Sequence, residues 1–417
     1  MSERSQAGAA VDIAIVGGGL VGATLAHALA DQGWSVGLIE AVAPRGPSQP
    51  SYDDRTLALS DSSCRILAGL GIWPALQDEA TPIRRVIVRE LDGPARVELD
   101  PAEHGLEQFG HVVEARAFGA AIMDLLPRLE TLSLFMPASL SVLKPGEGRA
   151  RLEFEYAGER HELGASLVAG ADGAASFVRQ AVGIESLEHD YGQTAIVCNI
   201  TPEQPHAGRA FECFTPTGPM AVLPHRGQRC GLVWCLPHDE AEQILGMGEE
   251  EFLNAAQARF GEELGRFIRV GRRSSYPLKQ VRALNDIADR TVVLGNAAHT
   301  IHPIGAQGFN LGLRDVAVLA ELLSEARRSG MDPGEPDLLR AYHEWRMNDQ
   351  TETVRWSDTL ARIYANASPG ARLLRSAGLM AHRLLPSLRR QTAARAMGYR
   401  GRIPRLALGE ALERTTS

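Results

Sequence analysis

The sequence lacks several features, and each absence argues against a class of protein. It contains no run of 18 apolar residues, so we expect no membrane-spanning helix. Residues 1–10 show no apolar core of signal-peptide length. The formal net charge is −8, so nothing indicates binding to nucleic acid. Five cysteines without CxxC spacing predict buried, reduced thiols in a cytoplasmic protein rather than disulfides or a metal site.

What is present is an ordinary globular composition with one uneven region. The chain is 44% hydrophobic and 23% charged over 417 residues, enough for a large core and two domains. Residues 359–409 carry ten arginines and no acidic residue, with apolar pairs at 373–374, 379–380 and 384–385 that are spaced as in amphipathic helices. This region would suit either a basic helix face packed on the protein or an anionic membrane surface.

Near the amino terminus, a predicted strand leads into a glycine-rich turn. Residues 11–16 form an apolar run typical of a buried parallel strand. Gly17, Gly19 and Gly22 follow, and a helix is predicted from about residue 20 to 32. The first glycine allows the turn, the second lets the backbone approach a pyrophosphate, and the third lets the helix pack on the strand. Free N–H groups at the helix start would bind phosphate.

A second strand, predicted over residues 35–39, ends at Glu40. A carboxylate about 20 residues beyond the glycines is suited to accept hydrogen bonds from the ribose of a dinucleotide. A ligand-free turn is the alternative, but the strand, the helix, the spacing and the terminal acid all favour dinucleotide binding. Ala26 and Gly33 extend the pattern towards the form found in FAD proteins.

Two residues in the middle of the chain are candidates for cofactor contacts. Arg55 precedes a helix predicted over 60–70, and its guanidinium could hold phosphate or screen a flavin; a surface ion pair with a neighbouring aspartate is the simpler alternative. Asp172 follows a predicted strand and precedes Gly173. Its carboxylate could grip ribityl or ribose hydroxyls, although Asp-Gly is also a common plain turn.

Residues 186–280 show short alternating apolar segments separated by proline and glycine, which predicts an antiparallel sheet. The clearest segments are 194–200, 209–214 and 230–236, and the pair 86–90 and 95–99 would join them. We expect this sheet to cover the substrate as a domain inserted into the cofactor domain.

A second glycine-rich element lies far along the chain, after a predicted strand at 290–294 and before a helix that runs to about residue 328. The start of that helix would direct N–H groups at an electron-rich edge such as the flavin pyrimidine carbonyl. The candidate cofactor residues are Gly295, Asn296, Gly305, Gln307, Gly308 and Asn310. One glycine-rich turn is weak evidence, but two predict one long cofactor held at both ends, and FAD is the best candidate.

Two histidines in this element, His299 and His302, have a spacing that would suit a metal only on a helix. Pro303 and the glycines indicate a loop instead, and no Glu or Cys lies close by, so we predict no metal site. We interpret His302 and Pro303 as the pocket wall over the flavin and therefore as the candidate catalytic residues.

Taken together, these motifs resemble one family, the group A flavoprotein aromatic hydroxylases. The matching residues, in order, are Gly17-x-Gly19-x-x-Gly22 with Glu40, the Arg55 segment, Ala171-Asp172-Gly173, and Gly295-Asn296-Ala297-Ala298 with His302-Pro303 and Gln307-Gly308-x-Asn310. The resemblance covers about residues 11–323. The subgroup resembled is the hydroxylases of ubiquinone biosynthesis, and Asn296 with segments 276–278 and 309–312 is most similar to 2-polyprenyl-6-methoxyphenol hydroxylases.

This resemblance implies an α/β fold with a Rossmann-like FAD-binding domain, an inserted and mainly antiparallel β-sheet substrate domain, and a helical carboxyl-terminal region. The expected FAD-binding domain is discontinuous, comprising 1–80, 101–185 and 281–358. The substrate domain would comprise 81–100 and 186–280, and the Arg-rich helical region 359–417.

The resemblance also implies roles for the candidate residues. It assigns Glu40 to the adenosine ribose, Arg55 to the FAD phosphate or flavin, Asp172 to the cofactor grip, Asn296 to the pyrophosphate–ribityl region, and residues 305–310 to the flavin pyrimidine edge. The chain departs from the family at Ala120, where a glutamine or another polar residue is common, and Arg116 is the candidate replacement.

The implied activity is hydroxylation of the aromatic ring of a polyprenylated phenol in ubiquinone biosynthesis. NAD(P)H, visiting transiently, or a partner reductase would reduce FAD; O2 would then form a C4a-hydroperoxide whose terminal OH passes to the ring. We expect a cytoplasmic protein, with peripheral contact to the inner face of the membrane through 359–409. A quinone-biosynthesis complex or redox partner would suit it, and nucleic acid would not.

Three alternatives stay open. A soluble aromatic-acid hydroxylase would need a cationic substrate anchor, for which Arg209, Arg226 and Arg229 are candidates. A halogenating flavoprotein would carry a Trp-x-Trp-x-Ile-type segment, which is absent. A scaffold subunit of a quinone-biosynthesis complex would bind FAD without turnover.

Overall fold

The structure, a computed structural model, describes residues 9–43, 55–91, 96–365, 370, 378, 380–382 and 384–412. Its central feature is a mainly parallel sheet. In spatial order, the parallel strands are Thr291–Val293 (β19), Glu159–Gly170 (β11), Ala9–Val16 (β1), Val36–Ile39 (β2) and Leu132–Phe135 (β8). Three antiparallel strands complete this first sheet: Ile287–Ala288 (β18) beside β19, Ala150–Tyr156 (β10) beside β11, and Ala138–Lys144 (β9) beside β10.

Helices bury the apolar residues of the parallel strands, as a parallel sheet requires. The helix Leu20–Asp31 (α1) packs against Ala115–Leu125 (α3) and Gln307–Ser329 (α7). In turn, α7 packs against Asp61–Gly69 (α2) and Pro336–Ala365 (α8). The largest hydrophobic core lies between these helices and the sheet, and its fully buried members include Ile13, Ile15, Leu25, Leu29, Val316 and Leu319.

The second sheet has nine strands and lies over the carboxyl-terminal edge of the first. Its order is His299–Thr300 (β20), Ser274–Ala283 (β17), Ser186–Pro202 (β12), Cys230–Pro237 (β15), Gly218–Pro224 (β14), Arg209–Thr215 (β13), Arg85–Glu90 (β5) and Arg96–Leu99 (β6), with Phe267–Val270 (β16) beside β12. All neighbours are antiparallel except β13 and β5. The helices His238–Gly246 (α5) and Glu249–Phe260 (α6) contribute to the core on its outer face, around Phe211, Trp234 and Phe252.

Smaller elements join these two layers. A third sheet has the order Thr56–Ser60 (β3), Gly110–Glu114 (β7) and Thr81–Pro82 (β4). Short helices are Phe177–Ala181 (α4), Pro386–Ala396 (α9) and Arg405–Leu408 (α10). The 3₁₀ turns are Trp73–Ala75, Gln77–Glu79, Pro101–His104, Leu126–Arg128, Gly295–Ala297 and Ile304–Ala306.

The predicted fold class is confirmed: a Rossmann-like α/β layer carries an inserted, mainly antiparallel sheet and a helical carboxyl-terminal region. The predicted domain boundaries stay a prediction. Within the described ranges, no helix is long and apolar enough to cross a membrane. The apolar residues predicted at 373–374 and 379 lie outside the described residues.

Candidate active site

A cavity of about 1300 Å³ lies where the first sheet meets the second. One end is lined by the carboxyl-terminal ends of the parallel strands, including Val16, Gly17, Ile39, Glu40, Ala171 and Asp172. The other end is lined by the second glycine-rich element and by apolar side chains of the second sheet. The cavity therefore connects the two glycine-rich elements that the sequence predicted to act together.

The first glycine-rich element has two glycines that the protein itself requires. Gly17 has a φ of +100°, and a Cβ there would lie 2.4 Å from the carbonyl oxygen of Ala171. A Cβ at Gly22 would lie 1.9 Å from the carbonyl oxygen of Gly17. Gly19 is the N-cap of α1 and supplies no side-chain cap, so the N–H groups of the helix start face the cavity without a protein side chain over them.

Glu40 lies at the end of β2, as predicted, and lines the cavity. Its carboxylate accepts hydrogen bonds from the backbone N–H of Gly18 and, at 2.8 Å, from that of Val42. These bonds fix the side chain against the glycine-rich turn. A carboxylate offers about four lone-pair sites, so two bonds leave capacity for hydroxyl donors from a ligand.

Asp172 lines the cavity at the end of β11. Its Oδ2 accepts a hydrogen bond from the N–H of Val178 at 3.0 Å, which caps α4. Its Oδ1 is buried without a hydrogen-bond partner among the described residues. A buried carboxylate oxygen left in this way needs a donor, and a ligand hydroxyl in the cavity would supply one.

Sequence reasoning missed Arg179, which joins the Asp172 loop to the second glycine-rich element. Its guanidinium is buried and donates to the carbonyl oxygens of Ala297 at 2.7 Å and Ala174 at 2.8 Å. The sequence feature that could have indicated this role is an arginine in the short helix α4, which directly follows the Asp172 loop.

Arg55 lines the cavity, as the cofactor hypothesis required, and is partly buried. Its guanidinium lies 5.2 Å from the ring centre of Tyr276, within cation–π range. Arg116 does not line the cavity; it donates to the carboxylate of Glu114 at 2.9 Å, with its side chain 63% exposed. The structure therefore brings Arg55, and not Arg116, to the cavity.

The second glycine-rich element is built by tertiary packing. Gly295 and Gly312 both lie against Val21 of α1, where a Cβ would approach the valine side chain to 3.2 and 2.8 Å respectively. Gly295 does not itself line the cavity, so the structure shows its packing on Val21, while its cofactor contact stays a prediction. Its neighbour Asn296 is exposed at the cavity wall.

Residues 303–310 of this element line the cavity, together with Asn296 and Ile301. Gly305 has a φ of +69° and lies against the ring of Trp356. Ala306, the N-cap of α7, adopts a left-handed φ of +52° that is uncommon outside glycine. A Cβ at Gly308 would meet only Ile301, at 3.7 Å. The protein therefore leaves room at Gly308 that nothing in its own packing requires.

Two amides hold this segment. Gln307 donates to the carbonyl oxygens of Gly305 at 3.1 Å and Ala396 at 3.2 Å, and its Oε1 is buried with no partner in the described part of the chain. The Oδ1 of Asn310 accepts from the Ser60 N–H and the Ser63 hydroxyl, while its Nδ2 donates to the carbonyls of Ala58 and Ala306. These four bonds use the full capacity of the Asn310 amide, so its side chain fixes the loop. Asn310 also lines the cavity, and its contact with the cofactor stays a prediction.

A buried ion-pair network lies behind this element and was not predicted. Asp315 of α7 accepts hydrogen bonds from the Gly295 N–H at 3.0 Å, from Arg346 Nε at 2.8 Å and from His299 Nε2. Burial acts to raise the pKa of the Asp315 carboxyl, but His299 and Arg346 hold it well below its usual range. Arg346 also donates to Asp349 at 2.7 Å. Thus His299 belongs to a structural network.

His302 lies behind the cavity wall and not in it. Its Nδ1 accepts from the N–H of Ile304 at 3.2 Å, and its Nε2 donates to Gln193 Oε1 at 3.2 Å. Burial lowers the pKa of His302 to about 4, so the ring is neutral at pH 7. Pro303 does line the cavity. The histidine therefore supports the wall from behind, Pro303 lies on its cavity side, and the catalytic role of both residues stays a prediction.

Glu212 of β13 also lines the cavity, and sequence reasoning missed it. Its carboxylate accepts a hydrogen bond from the N–H of Gly305, while burial raises the pKa of Glu212 to about 7. The available signal was a single acid in an otherwise apolar strand, on the face shared by Ala210 and Phe214.

The residues present fit FAD. Two helix starts without side-chain caps, those of α1 and α7, meet one cavity and would stabilise negative charge at both ends of a long ligand. Buried oxygens of Asp172 and Gln307 have no hydrogen-bond donor among the described residues, and Gly308 leaves open space at the cavity wall. Fold and site together define a protein of the flavoprotein class.

The family of the chain follows from its sequence. The FAD binding domain family matches residues 10–357, most of the chain. The chain therefore belongs to this family of FAD-binding proteins.

Individual relatives are more specific. The chain is 38% identical to ubiquinone hydroxylase UbiL of Rhodospirillum rubrum, over 93% of this chain and 89% of that protein. It is 34% identical to 3-demethoxyubiquinol 3-hydroxylase of Escherichia coli, over 93% of this chain and 98% of that protein. The resemblance to flavoprotein aromatic hydroxylases of the ubiquinone-biosynthesis subgroup is thereby confirmed.

Among solved structures, p-nitrophenol 4-monooxygenase PnpA from Pseudomonas putida is similar with a TM-score of 0.78. The match covers 94% of this chain and 100% of that one at 19% identity. At that identity, the likeness shows the fold alone.

Proposed function

We propose that the protein is an FAD-dependent monooxygenase that hydroxylates the ring of a polyprenylated phenol in ubiquinone biosynthesis. The single observation that carries the proposal is the composition of the cavity. One end has the glycines and carboxylates that suit FAD, and the other is an apolar sheet face that suits an aromatic ring with a prenyl tail. The similarity to a ubiquinone hydroxylase and to 3-demethoxyubiquinol 3-hydroxylase supports this class of substrate.

The FAD would lie along the cavity between the two glycine-rich elements. Gly17, Gly19 and the start of α1 would hold the pyrophosphate, with Glu40 on the adenosine ribose. Asp172 would accept a hydrogen bond through its Oδ1, and Arg55 would lie near the phosphates or the flavin. Bound FAD would supply the oxygen-transfer chemistry that the family resemblance implies.

The volume of the cavity supports two ligands. About 1300 Å³ exceeds the roughly 300–1000 Å³ of a usual small-molecule pocket, so space for a phenol beside FAD is available. The apolar lining on the substrate side includes Val88, Val97, Leu99, Phe214, Ala221 and Leu223. Such a wall excludes water, which would limit wasteful release of peroxide from the reduced cofactor.

A prenylated substrate would be delivered most readily from a lipid surface, and we extend the proposal to peripheral contact through residues 359–409. In the described part of this region, Leu384 and Leu385 are 67% and 51% exposed. Leu388, one helical turn further, lines the cavity, and Arg389 and Arg390 follow it. Exposed leucines beside arginines would suit an anionic lipid surface.

The test uses purified protein. Its absorbance spectrum is recorded, and 2-polyprenyl-6-methoxyphenol, NADPH and O2 are then added for product analysis by mass spectrometry. We expect bound flavin and a substrate-dependent gain of one oxygen atom, with NADPH as the transient electron donor. Absence of flavin after FAD is supplied would contradict the proposal at its base. Bound FAD without any oxygenated product from a set of prenylated phenols would instead favour the scaffold subunit.

The aromatic-acid alternative receives less support from the site. Among the residues described, Arg209, Arg226 and Arg229 do not line the cavity. Arg226 pairs with Glu79, and Arg229 pairs with Glu114 at 3.3 Å. Without one of these arginines in the cavity, a substrate carboxylate would lack the anchor that this alternative required.

A further inference from the structure

Glu212 is unusual for its place on the cavity side of the second sheet. Along β13, Phe211 and Cys213 are buried in the core under α5 and α6, whereas Ala210, Glu212 and Phe214 alternate onto the cavity face. Glu212 is a partly buried residue, while both of its chain neighbours are fully buried. Its accessible surface is therefore surface of the cavity.

The elements around Glu212 leave its charge uncompensated. Its cross-strand neighbours are Val88 on β5 and Ala221 on β14, and both line the cavity. Trp356 and Leu360 of α8 face the same space. Two thiols of the sheet, those of Cys213 and Cys235, interact with the charge of Glu212, and neither carries a positive charge. Within the described residues, no ion pair involves Glu212, and its protein partner is the Gly305 N–H.

Other ionisable residues line the cavity, but its other two carboxylates lie at the opposite end from Glu212. In the described ranges they are Glu40, Arg55, Asp172, Cys235, His382 and Arg395. Glu40 and Asp172 belong to the first glycine-rich end. Glu212 is thus the carboxyl at the second end, where Gly305 and the start of α7 would meet the flavin ring.

From this geometry we propose that Glu212 contacts the phenolic hydroxyl of the substrate and accepts its proton. The inference rests on the proposed function, because it assigns a catalytic residue to the phenol that the enzyme would hydroxylate. The phenol O–H bond breaks, its electron pair stays on the phenol oxygen, and a new O–H bond forms on the Glu212 carboxylate. The resulting phenolate has an electron-rich ring, as transfer of an electrophilic oxygen requires.

A structural role would be a poor explanation for this side chain. An isolated carboxylate on an apolar face is costly unless it is paired or protonated. Burial raises the pKa of Glu212 to about 7, with the Gly305 N–H acting in the opposite direction. A carboxyl with this pKa exchanges its proton near neutral pH, which suits a general base.

The first experiment compares FAD-loaded wild type with Glu212→Gln, which keeps an acceptor for the Gly305 N–H. The control is Glu98→Gln, a carboxyl of the same sheet that is paired with Arg85 at the surface. Hydroxylated product is measured from pH 6 to pH 9. We expect Glu212→Gln to retain flavin absorbance, to form product at least about 100-fold more slowly, and to lose the wild-type ionisation near pH 7. The control should match the wild type.

A ring-fluorinated phenol gives a readout that a purely structural role would not change. It ionises more readily in water, so the deficit of Glu212→Gln should shrink with this substrate. Product formation by Glu212→Gln at the wild-type rate, with the wild-type pH profile, would overturn the inference. If Glu212→Gln fails to retain FAD, Glu212→Asp decides: a slower enzyme that keeps the ionisation supports the role, and loss of that ionisation contradicts it.

A second measurement requires no turnover and separates the two proposals. The probe is 2-prenyl-4-nitrophenol, whose binding as phenolate is followed by absorbance. Because an ionised carboxylate repels a phenolate, its dissociation constant for wild type should rise about tenfold per pH unit above pH 7, and that for Glu212→Gln should stay flat. Equal pH dependence in both proteins, or binding to neither, would overturn the inference. Wild type that binds the probe as expected yet makes no hydroxylated product contradicts the proposed function alone.

Discussion

The two glycine-rich elements face one cavity, but they are built differently. In the first, Gly17 and Gly22 are required by backbone atoms of the turn itself and of the adjacent strand β11. In the second, Gly295 and Gly312 accommodate a valine of α1, whereas Gly308 has free space beside it. The first element is a local unit of strand, turn and helix, and the second exists only because distant helices hold it.

This difference separates two demands on a cofactor site. The pyrophosphate end needs a fixed arrangement of backbone N–H groups, which a short motif can encode. The flavin end needs a shaped wall and a supported loop, and here the support comes from Asn310 and the Asp315 network. Substitutions in the two elements should therefore fail in different ways.

The largest effect is expected from breaking the first element with Gly22→Ala. The added Cβ would lie 1.9 Å from the Gly17 carbonyl, so the turn cannot close, and we expect little folded, flavin-containing protein. The measurement is yield, thermal unfolding and flavin absorbance. Gly246→Ala at the end of α5 has open space around its Cβ and is the matched control, with a change within about 1 kcal/mol. A stable, flavin-loaded Gly22→Ala protein would show that the turn is less constrained than its geometry indicates.

Breaking the ion-pair network behind the second element should destabilise the protein less than Gly22→Ala does, but the loss of stability should still be large. Asp315→Asn removes the charge that balances buried Arg346, and we expect a loss of about 3–5 kcal/mol in the free energy of unfolding. Denaturant titration measures it. Asp337→Asn at the exposed pair with Arg340 should change stability by less than about 1 kcal/mol. If the two variants lose similar stability, the network does not support the loop.

The next prediction concerns the pH dependence of stability that arises from His302, which lies behind the cavity wall at Pro303. The pKa of His302 is lowered from 6.5 to about 4, so between these values the unfolded chain binds a proton that the folded protein excludes. Stability should therefore fall as the pH decreases from 6.5 to 4, by up to about 3 kcal/mol from this group. His302→Gln should reduce that slope in thermal unfolding measured across the range. His225, whose pKa burial also lowers to about 4, should contribute in the same direction, so a double variant should be flatter still.

The smallest change in stability, and the sharpest contrast, is expected for Gly308→Ala. A Cβ there makes only an ordinary contact with Ile301, so the free energy of unfolding should change by less than about 1 kcal/mol. If FAD lies against this glycine, its dissociation constant should increase about tenfold or more, because the methyl group occupies cofactor space. Titration of apoprotein with FAD, followed by flavin fluorescence, measures it. Unchanged affinity would move the flavin away from Gly308.

The sequence predicted the locally encoded elements well and the elements built by distant contacts poorly. The strand before Gly17 and the helix after it lie within two residues of their predicted bounds, because their pattern and their glycines are local. The strand predicted at 194–200 extends over Ser186–Pro202 instead. Its first half is largely exposed and irregularly paired with β17, so it lacks the alternating apolar residues that mark a strand.

The parts of the site that sequence reasoning missed depend on contacts between distant residues. Asp315 and Arg346 are two of many charged residues in α7 and α8, and nothing in either segment indicates that these two would be buried against each other. Likewise, the motif containing His302 predicted a loop at the cavity, but whether the ring faces the cavity or Gln193 depends on where β12 runs. From the sequence, Glu212 resembles a surface acid, and its place in the cavity is evident only once the face of the mostly buried strand β13 is known.

The strand order of the first sheet determines when its strands can pair during translation. Strands β1 and β2 can pair early, and β10 covers residues 159–165 on the other edge of β11, but residues 168–170 of that edge are covered by β19, at residues 291–293. A ribosome must therefore translate the whole inserted sheet before that edge is closed. Until then, the N–H and C=O groups along the edge are open to pairing with another chain. Nascent chains of this protein should depend on chaperones most during translation of residues 170–290.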